Sequence, residues 1–205
     1  VRGIDVIPEI DMPGHCLQAI DSYPWLACFG RGSWGQSFSS PLCVGKDRTL
    51  AFCESVWEEL FELFPYEYVH MGGDEVDKSN WKRCPDCQTR MRAEGLPDEA
   101  ALQAWFMHRM QRFCEARGWD EILEGGAVPG ATVMWWRPWE PQSVSVATRQ
   151  GCEVVLCPQS WFYFSLEEDA NSLARICRFD MLPDSLSDAQ KRQIKGVQGN
   201  LWTEK

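Results

Sequence analysis

The residues best suited to chemistry in this chain lie in His70-Met71-Gly72-Gly73-Asp74-Glu75-Val76. Two adjacent carboxylates can divide acid–base work when their surroundings differ. Neighbours on a strand point to opposite faces, so Asp74 and Glu75 can reach one site only if the strand has already ended. Gly72 and Gly73 permit that, because glycine tolerates sharp turns and close backbone approach. Taken alone, an Asp-Glu pair is a solvated acidic turn. The elements around it decide otherwise.

Immediately upstream, Tyr66-Glu67-Tyr68-Val69 is short, aromatic and β-branched, which predicts a strand over 66–71. The same arrangement recurs along the chain. Gly3–Pro8 reads as a buried parallel strand that runs into Asp11-Met12-Pro13-Gly14-His15. Further strands are expected at 119–122, 131–136, 153–157 and 196–202, six in all. Residues 21–48 are expected to be loop. Thr49 or Asp47 is expected to cap a helix that runs through Phe64, with Leu50, Cys53, Val56, Trp57, Leu60 and Phe64 on one stripe. A polar excursion through Gly95 comes before a second helix, capped by Asp98 and stopped by Gly118. Weaker helices are expected at Val144–Gln150 and around Asp188–Ile194.

Strands alternating with helices imply βαβ units and a parallel sheet. A (β/α)8 barrel needs eight strands and about 250 residues. Six strands in 205 residues therefore fit an incomplete barrel with strands 3 to 8 present and the first two missing. The whole of 1–205 is then part of a single domain. The chain opens at Val1 in mid-pattern and stops just after a strand-like run, as a piece of a longer protein would. An open doubly wound sheet is the alternative, but no glycine-rich phosphate loop follows the first strand. In a barrel the polar tips Asp11/His15, Asp74/Glu75, Trp119/Asp120/Glu121, Trp136/Arg137, Tyr163 and Trp202/Glu204 are expected on one rim.

Composition narrows the partners. Net charge is −10, which argues against nucleic acid and anionic lipid. No apolar run approaches the ~20 residues of a membrane span. Eleven tryptophans exceed what a core needs and suit the C–H faces of sugars. Of the ten cysteines, Cys53 and Cys114 fall in helical patterns as small core residues. Cys84-Pro85-Asp86-Cys87 is half a zinc site, with no second pair following at metal spacing. The cysteines leave the redox compartment open.

Four ordered stretches together carry a resemblance. They are Glu9-Ile10-Asp11-Met12-Pro13-Gly14-His15, His70–Glu75, Gly118-Trp119-Asp120-Glu121-Ile122-Leu123-Glu124-Gly125-Gly126 and Gly199-Asn200-Leu201-Trp202-Thr203-Glu204. They resemble the signatures of the family 20 glycoside hydrolases, the β-N-acetylhexosaminidases, over essentially the whole chain. The resemblance implies a (β/α)8 catalytic domain that removes terminal β-linked N-acetylglucosamine or N-acetylgalactosamine with retention, and no metal or other cofactor. Two neighbouring carboxylates are poorly placed to straddle a sugar ~5–5.5 Å apart, as a retaining acid and nucleophile do. In this family the substrate's 2-acetamido oxygen attacks instead.

The roles carried over by resemblance are individual. Glu75 is the general acid/base, and burial beside Asp74 is expected to raise its pKa. Asp74 holds the acetamide N–H and stabilises an oxazolinium-like intermediate. Tyr163 binds the acetamide carbonyl. Trp119, Trp136 and Trp202 wall the pocket, Glu204 binds distant sugar hydroxyls, and Asp11 and His15 form a polar pair beside the acid. The resemblance also favours an extracytoplasmic compartment.

There are departures. The family's sugar-gripping arginine belongs to the absent first strand. Ser165 stands where an Asp usually follows Tyr163. Glu115-Ala116-Arg117-Gly118 runs almost straight into Trp119, so either turns of the preceding helix unwind to supply the fifth strand or that strand is nearly missing. Two other readings are a non-catalytic amino-sugar-binding protein on the same barrel and a metal-dependent barrel hydrolase. Glu9, Asp11 and His15 are metal ligands by type; the lack of a second His near the strand ends weighs against the latter.

Overall fold

A computed structural model describes residues 3–31, 40–118, 120–123, 128–165, 170–182 and 184–202. They form two compact units, Val1–Gly126 and Ala127–Lys205.

The first unit contains α1 (Leu17–Ser22), a single 3-10 turn at Pro24–Leu26, α2 (Asp47–Leu63), β1 (Tyr68–His70), α3 (Pro85–Glu94), α4 (Glu99–Glu115) and β2 (Asp120–Leu123). β1 and β2 pair in parallel, with Tyr68 opposite Asp120 and His70 opposite Ile122. Parallel strands need a crossover, and α3 and α4 supply it. α4 starts where the Asp98 carboxylate accepts the Ala101 N–H at 2.7 Å. Its buried stripe of Leu102, Phe106, Met107, Met110 and Cys114 recurs at three- and four-residue spacing, as a core-facing helix demands. α2 buries Leu50, Cys53 and Trp57, and burial of each large side chain stabilises by roughly 1.5–3 kcal/mol. Trp57, Phe61 and Phe113 form a ladder of nearly stacked rings at centroid distances of 6.3 and 6.5 Å.

Several expectations need correction here. Residues 3–8 are not a buried strand: Ile4, Val6 and Ile7 are exposed. β1 is only three residues long, so it offers hydrogen bonds just to Pro8, Ile10 and, through Met71, Met12. The polar excursion before Gly95 contains α3, ten residues long. Only Cys87 and Met91 of that helix are buried, so its sequence has no apolar period to announce it. Its signals were punctuation instead: Pro85 at the first turn and Gly95 in the left-handed C-cap conformation. The fifth-strand region is not missing. Helix α4 ends at Glu115, a three-residue turn follows, and β2 starts at Asp120.

The second unit contains β3 (Thr132–Trp135), α5 (Gln142–Arg149), β4 (Glu153–Leu156), α6 (Gln159–Phe162), α7 (Ala170–Ile176), α8 (Asp188–Lys191) and β5 (Ile194–Val197). β3, β4 and β5 are parallel, with a register shift at Val154/Val155 where β5 passes Gly196. Val133, Val144, Ala147, Cys152, Val154, Leu156 and Leu186 form its core. The last strand begins two residues earlier than expected and ends at Val197. Beyond it, Asn200 makes an isolated parallel bridge with Tyr163.

Candidate active site

In the first unit the chain leaves β1 at His70 and turns through Gly72 (φ 61°), Gly73 (φ 94°) and Glu75 (φ 47°). A left-handed backbone at a non-glycine residue is uncommon and concentrates at functional turns. Here it lets successive carboxylates face one partner. His15 Nε2 lies 3.5 Å from Asp74 Oδ2, 3.4 Å from Glu75 Oε2 and 3.7 Å from Asp11 Oδ2. His15 also has positive φ, 50°.

Backbone contacts hold this geometry. Asp11 Oδ1 accepts the Gly73 N–H at 2.9 Å, and Gln103 of α4 donates its amide N–H to the Gly73 carbonyl at 2.7 Å. A Cβ at Gly72 would sit 2.2 Å from Asp11 Oδ1, and one at Gly14 would sit 2.8 Å from the Asp74 carbonyl. Both positions therefore need glycine. Beneath the turn, His70 Nδ1 accepts the Gly72 N–H at 3.2 Å and lies 3.3 Å from Glu9 Oε1.

The cluster's protons are unequally shared. Burial, then the charge of Asp74, raises the Asp11 carboxyl far above the carboxylate range. Burial would also raise Asp74, but hydrogen bonding and charge from His15, with a further hydrogen bond to Asp11, outweigh it and hold Asp74 low. His15 is raised to about 9, first by its hydrogen bond with Asp74 and then, against the cost of burial, by the charges of Asp11, Asp74 and Glu75. Two close carboxylates cannot both ionise cheaply, so near neutrality Asp11 carries the proton, Asp74 is anionic and His15 is cationic. Burial, then Asp74, lifts Glu9 to about 7, and burial pushes His70 down to about 4.

Glu75 departs from expectation. Its side chain is 39% exposed, against 11% for Asp74. The burial expected at Glu75 falls on Asp74, which precedes the left-handed backbone of Glu75.

In the second unit, Trp136 follows the end of β3 and is buried, while Tyr163 follows α6 and is half-buried. Their rings lie 6.2 Å apart and tilted by 34°, and Arg137 Cζ stands 4.8 Å over the Trp136 ring. Trp136 Nε1 is buried and has no hydrogen-bond acceptor among the described residues. Burying such a donor unpaired costs about 1–3 kcal/mol. Trp202 is 44% exposed. Its N–H donates to Ser165 Oγ at 2.9 Å, so Ser165 braces the Trp202 segment. Trp119 and Glu204 lie outside the described residues.

His70 was legible as part of the motif, but Gln103 is one of several polar residues on α4 and carries no local signal. By donor type, two groups among the described residues could hold a metal ion: Asp11, His15 and Asp74, and a separate set of four cysteines. The first group is internally paired, with an imidazolium already at its centre.

A family model for the catalytic domain of glycosyl hydrolase family 20 matches residues 1–205. A β-hexosaminidase of Porphyromonas gingivalis is 39% identical over 99% of this chain and 29% of its own length. Among solved structures, a β-N-acetylhexosaminidase superposes with a TM-score of 0.87 at 26% identity, over 98% of this chain and 47% of that one. The exo-β-N-acetylglucosaminidase of Vibrio harveyi, determined with N-acetylglucosamine, gives 0.82 at 27% identity, over 98% and 35%. The chain thus spans less than half the length of these proteins.

Proposed function

The chain belongs to glycosyl hydrolase family 20, and from that premise we propose that it is catalytic-domain sequence of a retaining exo-β-N-acetylhexosaminidase. On this reading residues 1–205 are part of one (β/α)8 catalytic domain and supply strands 3 to 8. The substrates are glycosides ending in β-linked N-acetylglucosamine or N-acetylgalactosamine, and the working compartment is extracytoplasmic. The observation that carries the reading is the left-handed turn that sets Asp74 and Glu75 around His15 within 3.5 Å.

Each carboxylate has a distinct task. Glu75, the more exposed, protonates the leaving oxygen and later deprotonates water. Asp74, buried and held anionic, accepts the acetamide N–H and offsets the positive charge of the oxazolinium ring. An anion there orients the acetamide oxygen for attack on C1, so no enzyme carboxylate has to reach the opposite face. His15 keeps Asp74 ionised, and Asp11, carrying a proton, adds no competing charge. In the second unit, Tyr163 contacts the acetamide carbonyl, while Trp136 and Trp202 offer aromatic faces to the sugar. The unpaired Trp136 indole N–H supports that assignment. Trp119 and Glu204 are assigned to the pocket and to remote hydroxyls by sequence likeness alone.

The test uses the full-length protein and paired aryl glycosides. Glu75→Gln should slow a substrate with a poor leaving group by ~10²–10⁴-fold and spare much of the cleavage of an activated phenol. Asp74→Asn should slow both. A sugar with hydroxyl in place of the 2-acetamido group should hardly react. Equal turnover of the acetamido and hydroxyl sugars would overturn the proposal in favour of an enzyme nucleophile.

A further inference from the structure

The sequence offered Cys84-Pro85-Asp86-Cys87 as half a metal site with no partner pair in sight. The fold supplies the other half. Cys28 and Cys43, distant in sequence from that motif, bring their sulfurs to it. Cys43 Sγ lies 3.6 Å from Cys84 Sγ and 3.7 Å from Cys87 Sγ, and Cys28 Sγ lies 3.8 Å from Cys87 Sγ. All four sulfurs are within 4.8 Å of one another. None is in a disulfide, whose sulfurs would be only about 2.05 Å apart. Four thiolates held tetrahedrally around zinc at about 2.3 Å stand about 3.8 Å from each other along each edge. Those separations match the edges of that tetrahedron.

We propose that Cys28, Cys43, Cys84 and Cys87 bind a structural zinc ion as a closed tetrathiolate site.

The surroundings fit the assignment. Cys43, Cys84 and Cys87 are fully buried, so the site offers no open coordination position for a substrate. Cys84 is the N-cap of α3 and Cys87 lies in its first turn, where unpaired N–H groups and the helix dipole favour anionic sulfur. The loop bearing Cys43 is pressed onto that turn: a Cβ at Gly45 would lie 2.3 Å from the Cys87 nitrogen. The segment bearing Cys28 is tied to the same loop. Cys43 N–H donates to the Leu26 carbonyl at 2.7 Å, and Lys46 Nζ donates to the Trp25 and Ala27 carbonyls at 3.1 and 2.6 Å. Four ligands thus come from three segments: those of Cys28 and Cys43 are tied by the Cys43–Leu26 backbone bond and by Lys46, and the first turn of α3 is packed against Gly45. On metal binding the thiols release their protons to solvent, and no electron transfer is involved.

The site also has a structural consequence for the acidic cluster. Leu42 N–H donates to the Pro13 carbonyl at 2.8 Å, and Cys16 N–H donates to the Ser40 carbonyl at 3.2 Å. The loop that carries Cys43 is therefore bonded on both sides of His15. Zinc clamps this loop to α3, and the loop in turn holds Asp11 and His15 against Asp74.

The experiment is metal analysis of the full-length protein, purified under reducing conditions, with single serine variants. Wild type and Cys177→Ser, an exposed control, should each carry one zinc per chain. Cys84→Ser and Cys87→Ser should lose it, and chelation of wild type should lower its Tm. Should those variants fail to fold, cobalt-exchanged wild type still decides the matter, through the intense visible absorption of tetrahedral thiolate-bound cobalt. Folded wild type without zinc, zinc retained in both serine variants, octahedral-type cobalt spectra, or disulfides among these four cysteines on non-reducing peptide mapping would each overturn the proposal. None of these readouts depends on glycosidase activity, so the site can stand or fall apart from the proposed reaction.

Discussion

Replacing Asp74 with Asn should release the proton held on His15, and the size of the release follows from the structure. His15 is raised from its ordinary 6.5 to about 9, which at ~1.36 kcal/mol per pH unit amounts to roughly 3 kcal/mol. A Coulomb estimate agrees in order. Unit charges at the 3.5 Å separation of His15 and Asp74 attract by about 5 kcal/mol at an effective dielectric constant near 20, and burial of the imidazolium takes part of that back. In Asp74→Asn the hydrogen-bonded anion is gone, but Asp11 also loses the neighbour that raises it and ionises more readily. The fall in the His15 pKa should therefore be partial, and completed only in Asp11→Asn/Asp74→Asn. The assay is an NMR titration of the imidazole Cε1–H, assigned by its loss in His15→Gln. Stability should follow with the same sign. A raised histidine pKa stabilises fully below about 6.5 and loses that contribution as pH rises through about 9. The gap in urea midpoint between wild type and Asp74→Asn should therefore be widest near pH 6 and narrow above pH 9. A wild-type His15 that titrates at or below 6.5, or an unchanged value in Asp74→Asn, would refute the charge assignment.

Two further perturbations test the scaffold. Gly72→Ala places a Cβ against Asp11 Oδ1 at a left-handed φ of 61°, which costs ~1–2 kcal/mol in backbone strain alone. It should also displace Asp11 from the Gly73 N–H, so the urea midpoint and turnover should fall together; an unchanged midpoint would mean that the turn is not tightly registered. Asp98→Ala removes the N-cap bond to Ala101 and should destabilise by about 1 kcal/mol, read by chemical denaturation, with no change in KM for an aryl substrate.

Much of the scaffold was legible locally. Asp98 announced the start of α4, the expected end of α2 at Phe64 falls within one residue of its last residue Leu63, and the apolar stripe of α2 predicted the burial of Leu50, Cys53 and Trp57. Cys53 and Cys114 are core residues, as their helical spacing implied. Each of these follows from periodicity or capping, which depend on neighbours in the chain. The glycine pair after a strand likewise foretold a turn that could bring Asp74 and Glu75 to one partner. Where local signals were weak, expectation failed: α3 has almost no apolar face, and residues 3–7 look like a strand but have no long ladder to join.

The sequence by itself determined the motifs, the capped helices and the family, because these rest on residue type and spacing. Tertiary structure alone decided which charges and sulfurs meet. Asp11 and Asp74 are 63 positions apart, and only their burial around His15 makes one neutral and the other anionic. Cys28 and Cys43 show no metal spacing with Cys84 and Cys87, and only the packing of two loops on the first turn of α3 gathers them. Proton sharing and metal coordination are interactions over a few ångströms. Sequence separation says nothing of such distances until the chain has folded.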